Sequence, residues 1–219
     1  MADESNSGEK PKFGELRQRV KAKITDKKFR IQKLGGDSDK IPGRYLIGEA
    51  AKDVRQEEEH ARLEKLATTD PLTGLLNRRG YEERQKEEIA RAIRSNHPLV
   101  VADLDLNDLK TTNDILGHKK GDEYLTTTAE ILRESTRLED IAARVGGDEF
   151  RVLLTETNLG QAKVWLERLR KKCEEKGINI SVGLSPVDLT KDIMHSIEIA
   201  DARMRQDKTT QKKNSENGK

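Results

Sequence analysis

"ARVGGDEFRV", residues 143–152, sets two glycines and two carboxylates between short apolar runs. The alternation on both sides predicts a hairpin, with "IAARV" (141–145) and "EFRVLL" (149–154) as its arms. One reading of the turn is steric: Gly146 and Gly147 supply the positive φ angles of a tight hairpin, while Asp148 and Glu149 lie in solvent. The other is that the turn holds a metal. Either way, a hairpin in mid-chain argues against a purely parallel, doubly wound sheet.

Working outward, "PLVVADL" (98–104) is an apolar run suited to a buried strand, followed by a helical pattern with Leu125, Ile131 and Leu132. A helix from about Gly160 to Lys176 carries Val164, Trp165, Leu169 and Cys173. Then "INISVGLS" (178–185) predicts a central strand and "IMHSIEIADARM" (193–204) a last helix. The fold class expected is α/β, an α+β sandwich with a mostly antiparallel central sheet flanked by helices.

A helical N-terminal extension, 13–66, precedes it. Basic residues spaced among Leu16, Val20, Ile24, Phe29 and Ile31 predict an amphipathic helix over Phe13 to Lys33, which "GGDSDKIPGRY" (35–45) breaks. The charged stretch from Ile47 to Leu66 is helical. Its Ile47, Ala51, Val54 and Ala61 partly fit a coiled-coil seam that Glu58 and Lys65 interrupt. Residues 1–12 and the tail 215–219, whose polar composition begins at Thr209, are expected to be disordered.

With 33% hydrophobic residues in 219, the chain has apolar material for one core. The balance of 42 basic against 40 acidic residues, net +2, gives no general affinity for nucleic acid. The single cysteine, Cys173 in "LERLRKKCEEK" (166–176), excludes an internal disulfide framework and reads as a lone helix residue. No apolar run is long enough to span a bilayer, and "MADESNSGEKPK" has neither a basic n-region nor an apolar h-region. A soluble, cytoplasmic chain is expected.

The chemistry concentrates in "VADLDLNDLKTTNDILGHKKGDE" (101–123). Asp103, Asp105, Asn107 and Asp108 crowd the exit of a strand, and Asp103 and Asp105 share a face. An EF-hand loop matches at its first, third and fifth positions. It fails where the glycine is Asp108, where the closing glutamate is Asp114, and where a strand replaces the entering helix. Neither GxGxxG nor GxxxxGK[ST] occurs, nor HExxH or paired CxxC, and His60, His97, His118 and His195 are scattered. Oxygen ligands remain, which suit magnesium when substrate phosphates and water complete the shell.

At this point "RVGGDEF" resembles the signature of the GGDEF family of diguanylate cyclases. "TDPLTGLLNRRGY" (69–81) and "DLNDLKTTNDILGHKKGD" (105–122) are similar to two further family motifs, in the family's order, over a domain spanning 67–214. The resemblance implies two GTP condensed to cyclic di-GMP with loss of pyrophosphate, in a homodimer holding one GTP per half-site. It implies Mg²⁺ or Mn²⁺, two per GTP, held by Asp105, the Leu106 carbonyl, Asp148 and Glu149. Gly146 and Gly147 would let the backbone approach the nucleotide.

Asn113 and Asp122 would read guanine, whose ring N–H and exocyclic amine make a pair of donors that adenine does not offer. By residue type alone, these two equally suit helix caps. Lys110, Lys208 and Lys212 would meet phosphates, or be solvated charges. At the last helix the likeness is poorest, with Arg205 where the family commonly has tyrosine. "RLED", Arg137 to Asp140, has the spacing of the family's inhibitory product site, and an ordinary surface ion pair explains it equally in isolation. The resemblance leaves two functions: an active cyclase whose N-terminal segment meets a sensor or regulator, or an idle domain that acts as a cyclic di-GMP receptor.

Overall fold

The computed structural model describes residues 13–217, as two compact units, 1–65 and 66–219. Expectations of disorder for residues 1–12 and 218–219 fall outside the described residues. Among the described residues no helix is long and apolar enough to cross a membrane.

The first unit contains α1 (Phe13–Lys33), a 3-10 turn (Ser38–Lys40) and most of α2 (Gly43–Thr68). Here α2 buries Leu46, Ala50 and Val54, one turn apart, while Ile47 is 53% exposed and Ala61 is also exposed. Val54 of the expected seam is buried within this unit, and Ile47 and Ala61 stay open on the single chain, where a seam that meets a second chain would leave them. Basic residues of α1 meet acidic ones of α2: Arg19 pairs with Glu58 at 2.7 Å, Lys27 with Asp53 at 3.0 Å, and Lys23 with Glu57.

In the second unit, α3 (Arg78–Ser95) leads to β1 (Val100–Leu106), followed by α4 (Leu109–Leu116) and α5 (His118–Ser135). The hairpin β2 (Ile141–Arg144) and β3 (Glu149–Leu154) comes next, then α6 (Leu159–Glu175), β4 (Ile180–Pro186) and α7 (Ile193–Asn217). The sheet order is β2-β3-β1-β4, and every neighbouring pair is antiparallel. The expected fold class is the one observed. Helix α3, whose "EERQKEE" run hides its apolar face, had no counterpart in the sequence reading. It begins where the Asn77 side chain accepts from the Gly80 N–H at 2.9 Å. Helix α7 runs on through Thr209 to Asn217, correcting the expectation of a disordered tail from residue 215. That stretch contains no proline or glycine to stop a helix once α7 is nucleated on the sheet.

The two sheet faces differ in kind. Val100, Ala102, Leu104, Phe150, Val152 and Val182 point to α5 and α6 in the larger core, which also holds Trp165 and Cys173. Burial pushes the Cys173 thiol up to about 11, as suits a packing residue and not a nucleophile. On the other face Val101, Ile141 and Leu153 pack with Tyr81 of α3 and Ile197 and Ala200 of α7. Toward the β1 exit that second face turns polar, with Asp103 and Asp105 opposite Arg151 and Glu149.

Helix α7 lies directly on β4. A Cβ added to Gly183 would fall 1.9 Å from the Ala200 carbonyl oxygen and 2.4 Å from the Met204 nitrogen. Both are backbone atoms that cannot swing aside, so Gly183→Ala is expected to cost about 2–3 kcal/mol, at the upper end for overpacking. A fall in the urea unfolding midpoint at unchanged slope would register it.

Candidate functional site

A polar cleft of about 330 Å³ opens at the β1 exit, lined by the turn Leu106 to Thr111, by Asp148, and by Lys208, Gln211 and Lys212 of α7. The pairing register builds it. Asp105 stands opposite Glu149, and cross-strand partners in an antiparallel pair share a face. The Leu106 N–H donates to the Asp148 carbonyl at 2.9 Å, which joins the metal-motif strand to the glycine turn.

That turn differs from the steric expectation. Neither Gly146 nor Gly147 has positive φ; the hairpin closes when the Val145 and Gly146 N–H groups donate to the Glu149 carbonyl at 2.9 and 3.2 Å. A Cβ on Gly146 would come within 2.6 Å of a Glu149 carboxylate oxygen, the far end of an exposed side chain that can swing aside, and within 3.1 Å of the Glu149 Cβ. A Cβ on Gly147 would meet nothing within 4 Å. Its open face is room for something outside the chain.

Two arginines from the motifs grip the turn. Arg78 donates to the Val145 carbonyl at 3.1 and 2.8 Å, and Arg144 to the Gly147 carbonyl at 3.1 and 2.7 Å. Arg144 also reaches both Asp70 oxygens at 3.4 Å. Burial pushes the Asp70 carboxyl up, but hydrogen bonds from Thr73 and the Arg144 charge outweigh it and hold the group below its ordinary value.

Beneath the cleft Arg151 forks onto Asp103 at 2.6 and 2.9 Å and stands 5.7 Å from the Tyr81 ring centroid. Asp103, grouped by sequence with the strand-exit acids, is thus an ion-pair residue of the sheet face. Burial pushes its carboxyl above the ordinary value, against the pull of Arg151. The neighbouring Tyr81 hydroxyl is likewise pushed up by burial.

Asn113 and Asp122 cap no helix. Asn113 lies inside α4, and Asp122 is in the second turn of α5, which begins at Gly117 without a side-chain cap. Between them the helices touch: a Cβ on Gly121 would overlap the Asn113 Oδ1 at 1.9 Å. That oxygen is buried without a hydrogen-bond partner, beside the exposed Asp122. Lys110 is exposed on the cleft wall, and Lys208 pairs with Asp105. Arg205 pairs with Asp201 at 3.0 Å and does not line the cleft.

Arg137 and Asp140 lie in the turn between α5 and β2, apart from the cleft lining. Asp140 does not pair with the Arg137 guanidinium; its oxygens accept from the Arg137 and Thr155 backbone N–H groups at 2.8 and 3.0 Å. The surface ion-pair explanation of this motif is therefore replaced by a turn that fixes Asp140 and leaves the Arg137 side chain exposed.

Sequence reading placed Asn107 at the strand exit without its partner Gln211, which the fold joins to it at 3.0 Å, and gave no role to Arg78, Arg144 or Arg151. For the three arginines the signal was their place inside the quoted stretches. Among the described residues no three His, Cys, Asp or Glu gather into a metal cage. An open set of carboxylates with an adjacent phosphate-sized cleft still fits magnesium, which uses one or two carboxylates plus phosphate oxygens and water. The Lys208 ammonium on Asp105 marks that carboxylate as a seat for positive charge.

Comparison with known proteins says which family this fold belongs to. The family model described as "Diguanylate cyclase, GGDEF domain" matches residues 67–214. The chain belongs to the GGDEF domain family. The diguanylate cyclase DgcP of Pseudomonas aeruginosa is 46% identical over 114 residues, which cover 51% of this chain but only 17% of that protein. The coiled coil and GGDEF domain of DgcB from Caulobacter crescentus, solved with c-di-GMP, shares the fold. Its TM-score is 0.71 at 24% identity, over 76% of this chain and 94% of that one. The diguanylate cyclase SiaD of Pseudomonas aeruginosa, solved with its activator SiaC, gives a TM-score of 0.63 at 28% identity, over 90% and 82%.

Two outcomes follow from these contacts. Arg151→Met leaves Asp103 buried and unpaired and is expected to cost about 3–5 kcal/mol in chemical denaturation, whereas adding Asp103→Leu restores most of it. For Asp70 the lowered folded value means its stabilisation is full above the ordinary carboxylate pKa and is lost as pH falls through the folded one. Acid-unfolding curves of Asp70→Asn are therefore expected to lack that part of the wild-type slope.

Proposed function

We propose that the chain condenses two GTP into cyclic di-GMP, each of two antiparallel protomers holding one GTP. The 3′-hydroxyl of each nucleotide forms a bond to the α-phosphorus of the other as the bond to pyrophosphate breaks. Two pyrophosphates leave, and the two hydroxyl protons pass to solvent or base. The observation that carries this reading is the convergence of Leu106 and Asp148 with Lys208 and Lys212 in one cleft of a GGDEF-family domain, with Asp105 paired to Lys208 beside it.

Asp105, the Leu106 carbonyl, Asp148 and Glu149 are the groups that would hold Mg²⁺ or Mn²⁺. The bound ions would stabilise negative charge on the attacking and leaving oxygens. Lys110, Lys208 and Lys212 bring cations to the phosphates. Gly147 leaves the backbone open to the nucleotide. The orphan Asn113 oxygen can accept from guanine, and the Asp122 carboxylate from its N–H donors, which favours GTP over ATP. Asp140, fixed by its turn, and the exposed Arg137 suit a product site in which cyclic di-GMP restrains the enzyme. The helical 13–66 segment is where a regulator or sensor partner would act.

The test is incubation of purified protein at high and low concentration with GTP and magnesium, products being identified by chromatography and mass. Cyclic di-GMP from wild type, more per protein at high concentration, and a loss of at least about a hundredfold in Glu149→Ala are expected. Folded protein, stripped of bound cyclic di-GMP, that makes none at any concentration would sink the enzyme reading. Retained cyclic di-GMP binding sensitive to Arg137→Ala would then leave the receptor.

A further inference from the structure

Asp105 stands beside the cleft, next to its lining residue Leu106, with its side chain only 12% exposed, and it is the cross-strand partner of Glu149. A carboxylate so far from water needs a cation beside it. The chain supplies one, the Lys208 ammonium bonded to Oδ1.

The helix that carries this lysine is fastened on both sides of it. Three α7 side chains, one turn apart, cap the open edge of β4. Arg203 Nη1 donates to the Leu184 carbonyl at 2.6 Å, the Val182 N–H donates to Asp207 Oδ2 at 2.9 Å, and Gln211 Nε2 donates to the Ile180 carbonyl at 3.1 Å. Lys208 sits between the last two rungs. Gln211 Oε1 also accepts from Asn107 Nδ2 at 3.0 Å, and Asn107 Oδ1 from Ser181 Oγ at 2.9 Å. These bonds tie α7 to the turn just after Asp105, so the ammonium stays at the carboxylate without help from any ligand.

We propose that Lys208 is the resident cation of Asp105 in the nucleotide-free protein, and that divalent ion and triphosphate bind there as a coupled pair. The inference rests on the cleft being the metal and nucleotide site. One ammonium cannot neutralise Asp105 and a phosphate at once. A divalent ion arriving alone meets the ammonium already in place, and a triphosphate arriving alone draws Lys208 away and strands the carboxylate. Together they satisfy every charge: the ion takes Asp105 and Lys208 turns to the phosphates.

Calorimetric titration with manganese(II) alone, without nucleotide, tests this on the full chain. Lys208→Met and Lys208→Gln are each expected to bind the ion about tenfold more tightly than wild type, within the usual range of coupling between sites. Equal or weaker binding by a folded variant overturns the proposal. A second measurement needs no variant: acetylation of the Lys208 amine by acetic anhydride, read by peptide mass spectrometry. Saturating manganese alone is expected to raise its reactivity several-fold, and a non-hydrolysable GTP analogue to lower it again; reactivity indifferent to manganese is the contrary result. Neither readout needs turnover. A protein that behaves this way but makes no cyclic di-GMP loses the cyclase reading and keeps this one, and a cyclase whose metal affinity ignores Lys208 does the reverse.

Discussion

The antiparallel register of β1 with β3 sets Asp103 against Arg151 and Asp105 against Glu149, and the cleft depends on it. Side chains alternate with period two, so a slip of one residue would send both aspartates into the apolar layer under α5 and α6. It would also turn Leu104 and Phe150 toward the cleft side. The cost of burying unpaired carboxylates among leucines makes the alternative register inaccessible, and the correct one leaves the acids at the sheet end where α7 brings lysines.

That same face shows how a core passes into a site within one strand. At Val101 and Leu153 it is apolar and closed by α3 and α7; two residues further on it holds a forked ion pair; two further still Asp105 stays buried against Lys208 while Glu149 meets solvent. The Asp103–Arg151 pair is a boundary layer, polar enough to border the cleft and neutral enough in sum to lie beneath it. Arg78 and Arg144 do a related task on the turn, holding two carbonyls that the hairpin leaves unpaired.

Edge protection and site assembly coincide in α7. The side chains that cover the free backbone groups of β4 remove an aggregation-prone edge, and their spacing fixes where Lys208 and Lys212 stand. Arg205 falls outside the cleft lining, while Lys208 and Lys212 line it.

Sequence alone determined the hairpin, the strand in "PLVVADL", the antiparallel fold class and the family, because two-residue alternation, apolar runs and short contiguous motifs are local properties. It also named the acids and lysines that meet in the cleft. What it could not decide was each residue's job when that job depends on a distant partner. Gly146 lies under the Glu149 side chain and has no positive φ, which the turn's sequence does not reveal. Asp103 belongs to Arg151, 48 residues away, and Asn107 to Gln211, 104 away. Within its unit α2 likewise buries Leu46, Ala50 and Val54, because the face a helix buries is chosen by the element it meets. Those pairings exist only once the sheet has closed, since tertiary contact and not local spacing selects which donor a buried acceptor finds.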